Sequence, residues 1–436
     1  MGAAARGARP RDLAVWSGVS ALAGRASDRP AGCRIAGVTS PPARPSWLLR
    51  QAAFAVYVVG ITGGVALAGG WWMLGMLRTH LDRELDIEGG WFLVEDPEFG
   101  LRMGDDVAIH FRDPSRGLEL DVATDARGLR VRRAGERVET PIDVLFVGGS
   151  FTFGWGVEAE ESIPERFAAA SGLRVANAAT PAVGTQSAAY AVRRLADLAP
   201  RYVVYGLIDD HLRRNTCPCA TTPTPFCQQV PYVREGASAE LVEEAPIDSF
   251  FAPNGGMEQA YRASHGELGF WRAQYWVFRA ALGFFYRRAA LGCSGSSEVR
   301  LAALDLSLDR LAAESRAAGA KLVVAYMPQM GGIRSLTFPP LGKLAKRRDM
   351  VLIDLSVAIS EHLRGRESRT WEQMLLPNDV HPSAEAHEVF ARALCTRFEE
   401  MGAVPTGRCP PALAAEDASS PAEPRAPEPS SAPDGA

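Results

Sequence analysis

Only seven of the 436 residues are cysteine and seven histidine, and the formal net charge is −4. So small a charge gives no reason to invoke nucleic acid as a partner. Cysteine is too sparse for a disulfide scaffold. Cys217-Pro218-Cys219 with Cys227 and nearby His211 matches no standard zinc spacing, so no metal and no cofactor is expected. No internal repeat is present, which excludes solenoids and propellers. The longest absence is of charge itself: Gln51 to Leu77 holds no Asp, Glu, Lys or Arg.

That uncharged run is rich in Val, Ala, Gly, Leu and Trp and is long enough to cross a hydrocarbon core as one helix. Before it stand eight arginines (Arg6, Arg9, Arg11, Arg25, Arg29, Arg34, Arg44, Arg50) against Asp12 and Asp28. The excess predicts a cytoplasmic N-terminus and an extracytoplasmic bulk. The arginine-rich leader is long for a cleaved signal peptide, no small-x-small site follows the apolar run cleanly, and Trp71-Trp72 suits an interface anchor. Six cysteines (Cys217, Cys219, Cys227, Cys293, Cys395, Cys409) lie beyond the run, in a compartment that permits disulfides. At least one disulfide is expected among Cys217, Cys219 and Cys227, and another between Cys395 and Cys409.

Composition divides the chain further. Residues 1–50 read as a basic, disordered cytoplasmic leader and 51–77 as the transmembrane helix. Residues 404–436 are rich in Pro, Ala, Ser and Glu and read as a disordered tail. Residues 78–135 carry short alternating segments such as Val107 to Phe111 and Leu118 to Val122, the pattern of a small β preface. In 136–403 strand and helix patterns alternate, which predicts βαβ units and a parallel sheet covered on both faces. Strands are expected at Asp143 to Val147, Leu173 to Asn177, Tyr202 to Gly206, Lys321 to Tyr326 and Val351 to Asp354. Helices are expected near Glu161 to Ala170, Gln186 to Leu198, Leu301 to Ala318, Leu341 to Arg347, Ser356 to Leu363 and Ser383 to Met401. Residues 212–300 form an insertion without a clear sheet pattern. Its aromatics, Phe270 to Tyr286, read as one helix face packed on the core, with a lid above the site as the alternative.

Ile142-Asp143-Val144-Leu145-Phe146-Val147-Gly148-Gly149-Ser150 breaks from an apolar run into two glycines and a serine. This is how a buried strand delivers a nucleophile to the rim of a sheet. A serine needs a base, itself held by a third group. Late in the chain Asn378-Asp379-Val380-His381-Pro382-Ser383 offers both, just ahead of an amphipathic run. A lone Gly-Gly-Ser is usually a tight turn, and a lone Asp-x-His usually a helix cap. In this order, each after a strand pattern, they point to a Ser150, His381, Asp379 constellation.

The pair of motifs resembles the SGNH (GDSL-type) hydrolase family, and Gly148 to Val157 is similar to its membrane-anchored bacterial branch. Thr124 to Arg130 resembles the segment that precedes the first strand in that branch. Thr152 stands where an α/β-hydrolase elbow would want glycine. The resemblance covers about residues 90–402. It implies an α/β, flavodoxin-like three-layer fold with a five-stranded parallel sheet, preceded by the transmembrane helix and the β preface. It also implies an oxyanion hole from Ser150, Ala182 and the position held by Asp209. Ala182 replaces a glycine there and Asp209 an asparagine. An ionised carboxylate donates nothing to an oxyanion. Either Asp209 is protonated, or His211 or Asn215 substitutes, or the Ser150 and Ala182 amides serve alone. Gly149 stands where the family name records aspartate, and Asp379 precedes His381 by two residues where three is commonest, a spacing that would select Asn378. His387 reads as a packing or capping residue, and His80, His110, His265 and His362 as surface or structural residues without partners.

The implied activity is acyl transfer through serine on an ester-bearing small molecule, lipid or glycan. The alternatives are an O-acyltransferase for envelope glycans and a degenerate, non-catalytic module that binds envelope polymers.

Overall fold

The structure, a computed structural model, describes residues 47–84, 86–96, 100–113, 117–217, 231–235, 241–244, 272, 275, 296–329, 338–347, 350–364 and 370–411. The chain divides into two units, residues 1–61 and 62–436. In the first, the described part is the opening of helix α1 (Trp47–Glu84). Within α1 the stretch Trp47–Trp72 has a mean hydropathy of 1.8 and none of it is buried, so it is long and apolar enough to span a membrane.

The second unit holds, among the described residues, a nine-stranded mixed sheet: five parallel strands lie where they are expected, and four antiparallel strands extend them. Its first strands are β1 (Asp86–Glu88), β4 (Ala108–Asp113), β5 (Leu118–Thr124) and β6 (Arg130–Val131), with β2 (Leu93–Asp96) and β3 (Gly100–Met103) forming a separate hairpin. The remaining five are β7 (Val144–Gly148), β8 (Val175–Asn177), β9 (Tyr202–Leu207), β12 (Lys321–Tyr326) and β13 (Val351–Asp354); β10 (Tyr232–Glu235) and β11 (Leu241–Glu244) pair only with each other. The sheet order is β1-β4-β5-β6-β8-β7-β9-β12-β13. From β8 to β13 neighbours run parallel, whereas β1 to β6 are antiparallel and join through Arg130 opposite Asn177. The expected preface is therefore an extension of the sheet, and the insertion does contain a strand pair.

Both faces of the parallel part are covered, which is why its strands read as unbroken apolar runs. Successive side chains point to opposite faces. Leu145, Val147, Val203, Tyr205, Val324 and Tyr326 pack against helices α4 (Thr185–Arg194), α6 (Ser297–Ala317) and α7 (Phe338–Arg347). Val144, Phe146, Val204, Val323 and Ile353 pack against α3 (Ile163–Ser171), α8 (Leu355–Leu363) and α9 (Ala384–Glu400). Two short helices remain, α2 (Ser150–Phe153) after β7 and α5 (Asp210–Arg214) after β9. Because β8 and β9 lie on opposite sides of β7, the chain reverses its winding there, and in such sheets the carboxyl ends of the strands at the reversal are where sites form.

The antiparallel strands contribute a third cluster. Phe92, Leu101, Met103, Phe111 and Leu120 pack with Phe153 and Val183, flanked by the half-buried Trp155 and Ala182. The extension thus forms a wall beside the loops that follow β7 and β8.

At the other end, Val404 is buried and a disulfide joins Cys395 to Cys409, so residues 404–411 pack with the domain and the tail begins later than composition indicates. Cys217 is fully buried and disulfide-bonded, while Cys219, Cys227 and Cys293 lie outside the described residues. So do the leader to residue 46, residues 412–436, His265 and, of the aromatics from Phe270 to Tyr286, all but the exposed Tyr275.

Candidate active site

Ser150 is the first residue of α2 and is almost wholly buried at the carboxyl end of β7. The turn that delivers it depends on Gly148, whose φ of 149° few side chains adopt. A Cβ there would stand 2.5 Å from Thr152 Oγ1 and 2.9 Å from the Gly206 carbonyl oxygen.

His381 comes from a loop pinned on itself and on the domain. The Leu376 N–H donates to the His381 carbonyl (2.8 Å), Asp379 N–H to Leu376 (3.1 Å) and Ser383 N–H to Met374 (2.8 Å). Ser383 then caps α9 through Ala386 N–H. The loop brings His381 Nε2 to 2.8 Å from Ser150 Oγ, across 231 positions of sequence. His381 Nδ1 lies 2.6 Å from Asp379 Oδ1, the same oxygen that accepts the Val380 and His381 backbone N–H groups. The carboxylate places the ring proton on Nδ1 and leaves the Nε2 lone pair for the Ser150 hydroxyl, which donates to it. Burial opposes ionisation of Asp379, but the His381 ring and the two N–H groups outweigh it and hold its carboxyl below the ordinary range. Asp379, rather than Asn378, is the residue that reaches the imidazole.

The loop after β8 is tied to the Ser150 turn by Thr180 N–H, which donates to the Gly148 carbonyl at 3.0 Å. In it Ala182 has φ of 68°, the left-handed conformation that favours glycine. Asp209 precedes α5 and accepts the Tyr326 hydroxyl at 3.2 Å on each carboxylate oxygen. Asn215 is engaged with Thr185: its side-chain carbonyl accepts Thr185 N–H at 2.8 Å and its NH2 donates to the Thr185 hydroxyl at 2.9 Å. His211 is fully buried, with Nδ1 2.7 Å from the Tyr205 hydroxyl.

Sequence reasoning missed Arg130. Its guanidinium is buried and donates to the carbonyls of Phe153 (2.6 Å), Gly154 (2.7 Å) and Val157 (2.7 Å), the segment that leaves α2. It also lies 4.5 Å from the Phe153 ring centre. Burial lowers its pKa to about 10, against the pull of Glu158 and its acidic neighbours, so it remains a cation in neutral solution. Asn177 adds a bond from Nδ2 to the Phe153 carbonyl at 3.2 Å. The available signal was an arginine between two apolar residues, Leu129 and Val131, in a strand too short to show a period.

Two readings of isolated histidines need correction. His110 pairs with Asp121 (2.9 Å) and Glu119 (3.2 Å) across β4 and β5, and His362 Nε2 lies 3.0 Å from Glu385. His387 is buried in α9, and neither ring nitrogen has a hydrogen-bond partner among the described residues. Among the described residues no group of three His, Cys, Asp or Glu side chains is placed to hold a metal ion.

No family model and no curated protein matches the chain. Solved structures similar to it include TesA, 14% identical with a TM-score of 0.32, covering 59% of this chain and 99% of that one. The psychrotrophic esterase EstA from Pseudoalteromonas sp. is 11% identical with a TM-score of 0.30, covering 59% of this chain and 97% of that one. AlinE4, an SGNH-hydrolase family esterase, is 13% identical with a TM-score of 0.27, covering 62% and 97%.

Proposed function

We propose that this chain is a membrane-anchored serine esterase of the SGNH type, with its catalytic domain on the extracytoplasmic side. The observation that carries the reading is the unbroken line from Asp379 through His381 to Ser150, with hydrogen-bond distances of 2.6 Å and 2.8 Å. A serine whose proton faces an imidazole lone pair, with a carboxylate behind the ring, is arranged to attack a carbonyl carbon.

Ser150 Oγ bonds to the ester carbon while its proton passes to His381 Nε2. The carbonyl oxygen becomes an oxyanion held by the Ser150 and Ala182 backbone N–H groups. When the carbon–oxygen bond to the alcohol breaks, the imidazolium returns its proton to the departing alkoxide, leaving an acyl-serine. Asp379 keeps the ring in one tautomer and stabilises its charged form. Water, deprotonated by His381, then releases the acid. If a sugar hydroxyl takes the place of water, the same intermediate gives O-acyl transfer. The substrate is an ester of a small molecule, a lipid or a glycan.

The test is turnover of an aryl acetate by the full-length chain in detergent micelles. The esterase reading expects acetate release into water, abolished in Ser150→Ala. Turnover only after a glycan acceptor is added would assign the chain to transfer instead. The topology is supported by the arginine excess before Trp47 and the apolar stretch that follows. A reporter active only in the cytoplasm, fused after Pro411, should stay silent, and its activity would overturn the orientation.

A further inference from the structure

Gly149 is not demanded by its own backbone. Its φ of −92° and ψ of −160° are open to any residue. What excludes a side chain is a neighbour: a Cβ at residue 149 would stand 2.8 Å from His211 Nε2 and 3.4 Å from Arg214 NH1. The contact falls one residue before Ser150, directly behind the nucleophile turn.

The imidazole that fills this space is held by a buried chain of hydrogen bonds. The Asn215 carbonyl oxygen accepts Thr185 N–H, which fixes the orientation of the amide, so its NH2 donates to the Thr185 hydroxyl. That hydroxyl lies 2.7 Å from the Tyr205 hydroxyl, which lies 2.7 Å from His211 Nδ1. In the arrangement we take, the Thr185 hydroxyl donates to Tyr205 and the Tyr205 hydroxyl to Nδ1. The ring's own proton is then on Nε2, the nitrogen that faces Gly149. Nε2 has no hydrogen-bond partner among the described residues. Burial and the Arg214 charge hold the ring neutral, with a pKa lowered to about 3.

We propose that His211 is a positioning residue for Ser150: its imidazole occupies the side-chain space of residue 149, and the two positions share one side chain behind the nucleophile. This rests on the esterase reading above. It explains together why the turn carries a second glycine and why a polar ring, with a relay of three side chains to orient it, is buried there. Arg214 strengthens the case. Its Nε donates to Asp210 at 2.7 Å and its NH1 to the Val183 carbonyl at 3.2 Å, so a cation lies beside the same turn. A carboxylate at residue 149 would find a partner in it, provided the imidazole were gone.

The experiment is a double-variant cycle in the full-length chain: His211→Ala, Gly149→Asp, and both together, each read by its rate of covalent labelling with a fluorophosphonate. Displacing the nucleophile turn by either single change should slow labelling by about a hundredfold. The combination, with the carboxylate in the vacated space and Arg214 beside it, should label at least about tenfold faster than the product of the two losses allows. Multiplicative losses, or a His211→Ala variant that labels like the wild type, would overturn the proposal. Two further readouts do not depend on chemistry. The unfolding midpoint should fall in Gly149→Asp and recover in the double variant, and the 15N shifts of the His211 ring should report a protonated Nε2 with Nδ1 unprotonated. If wild-type Ser150 fails to label, the esterase reading fails, and these two readouts still decide whether residues 149 and 211 share one space; no recovery, or the opposite tautomer, would rule that out.

Discussion

His387, buried with neither ring nitrogen paired among the described residues, makes a quantitative test of the packing behind the site. Burial, with smaller contributions from the charges of Arg130, His381 and Arg166, lowers its pKa to about 3. His211 is lowered to about 3 as well. A histidine whose folded pKa lies below its unfolded value, near about 6.5, is protonated first in the unfolded chain. Its burial therefore makes no pH-dependent contribution above that pH, and stability is lost as pH falls from about 6.5 toward 3. Between pH 7 and pH 5 the loss is about 2 kcal/mol for each ring, or about 4 kcal/mol for the two. Asp379, with a depressed carboxyl pKa, loses its contribution only below the ordinary carboxylate range, outside this window. His110, raised by its bonds to Asp121 and Glu119, shifts stability the other way, and weakly, because it is solvent-screened. Replacing His387 by leucine removes one buried ring while leaving every other group in place. His387→Leu should therefore cut the loss between pH 7 and pH 5 by about 2 kcal/mol. At pH 7 it should also raise stability by about 1–3 kcal/mol, because two unpaired nitrogens no longer need desolvating. Guanidinium unfolding of both proteins at the two pH values, followed by near-UV circular dichroism, measures this. An unchanged pH dependence, or a variant less stable than the wild type at pH 7, would refute the reasoning.

Two further outcomes follow from the site's supports. Arg130→Met removes three charge-assisted hydrogen bonds; the Phe153 carbonyl keeps Asn177 and the Gly154 carbonyl keeps Val157 N–H, and relief from burying the guanidinium offsets part of the cost, so a net loss of about 1–3 kcal/mol is expected, with a fall in the labelling rate of Ser150. Thermal melts and labelling kinetics within error of the wild type would remove Arg130 from the account. Asp209→Asn keeps an acceptor for Tyr326 while supplying an amide donor, so labelling should quicken; a steep loss would show that the carboxylate itself is required.

The parallel half of the fold was legible because burial on both faces writes itself into the sequence as continuous apolar runs, as in Val144–Gly148 and Lys321–Tyr326. The joining of the β preface to that sheet was not, because it rests on one pairing of Arg130 with Asn177, and nothing local specifies a contact 47 positions apart. The pairs of His110 with Asp121 and Glu119 were missed for a related reason: they depend on the register of β4 against β5. In the site, the spacing of a glycine turn and a late Asp-x-His was enough to pick residues that the structure brings together. The groups behind them, Arg130 and the chain from Asn215 to His211, were met only as parts of resembling segments, with no sign of the bonds they make. Their meaning lies in burial, and buried polar residues look in sequence like any others.

Covalent labelling of the full-length chain by a fluorophosphonate tests the central claim most directly, since only a serine whose proton is removed as it attacks reacts at a useful rate. The account predicts a single modified residue, Ser150, with labelling absent in Ser150→Ala and strongly reduced in His381→Ala. A well-folded chain left unlabelled across the pH range in which imidazole becomes neutral would contradict it and would favour a binding module built on the same fold.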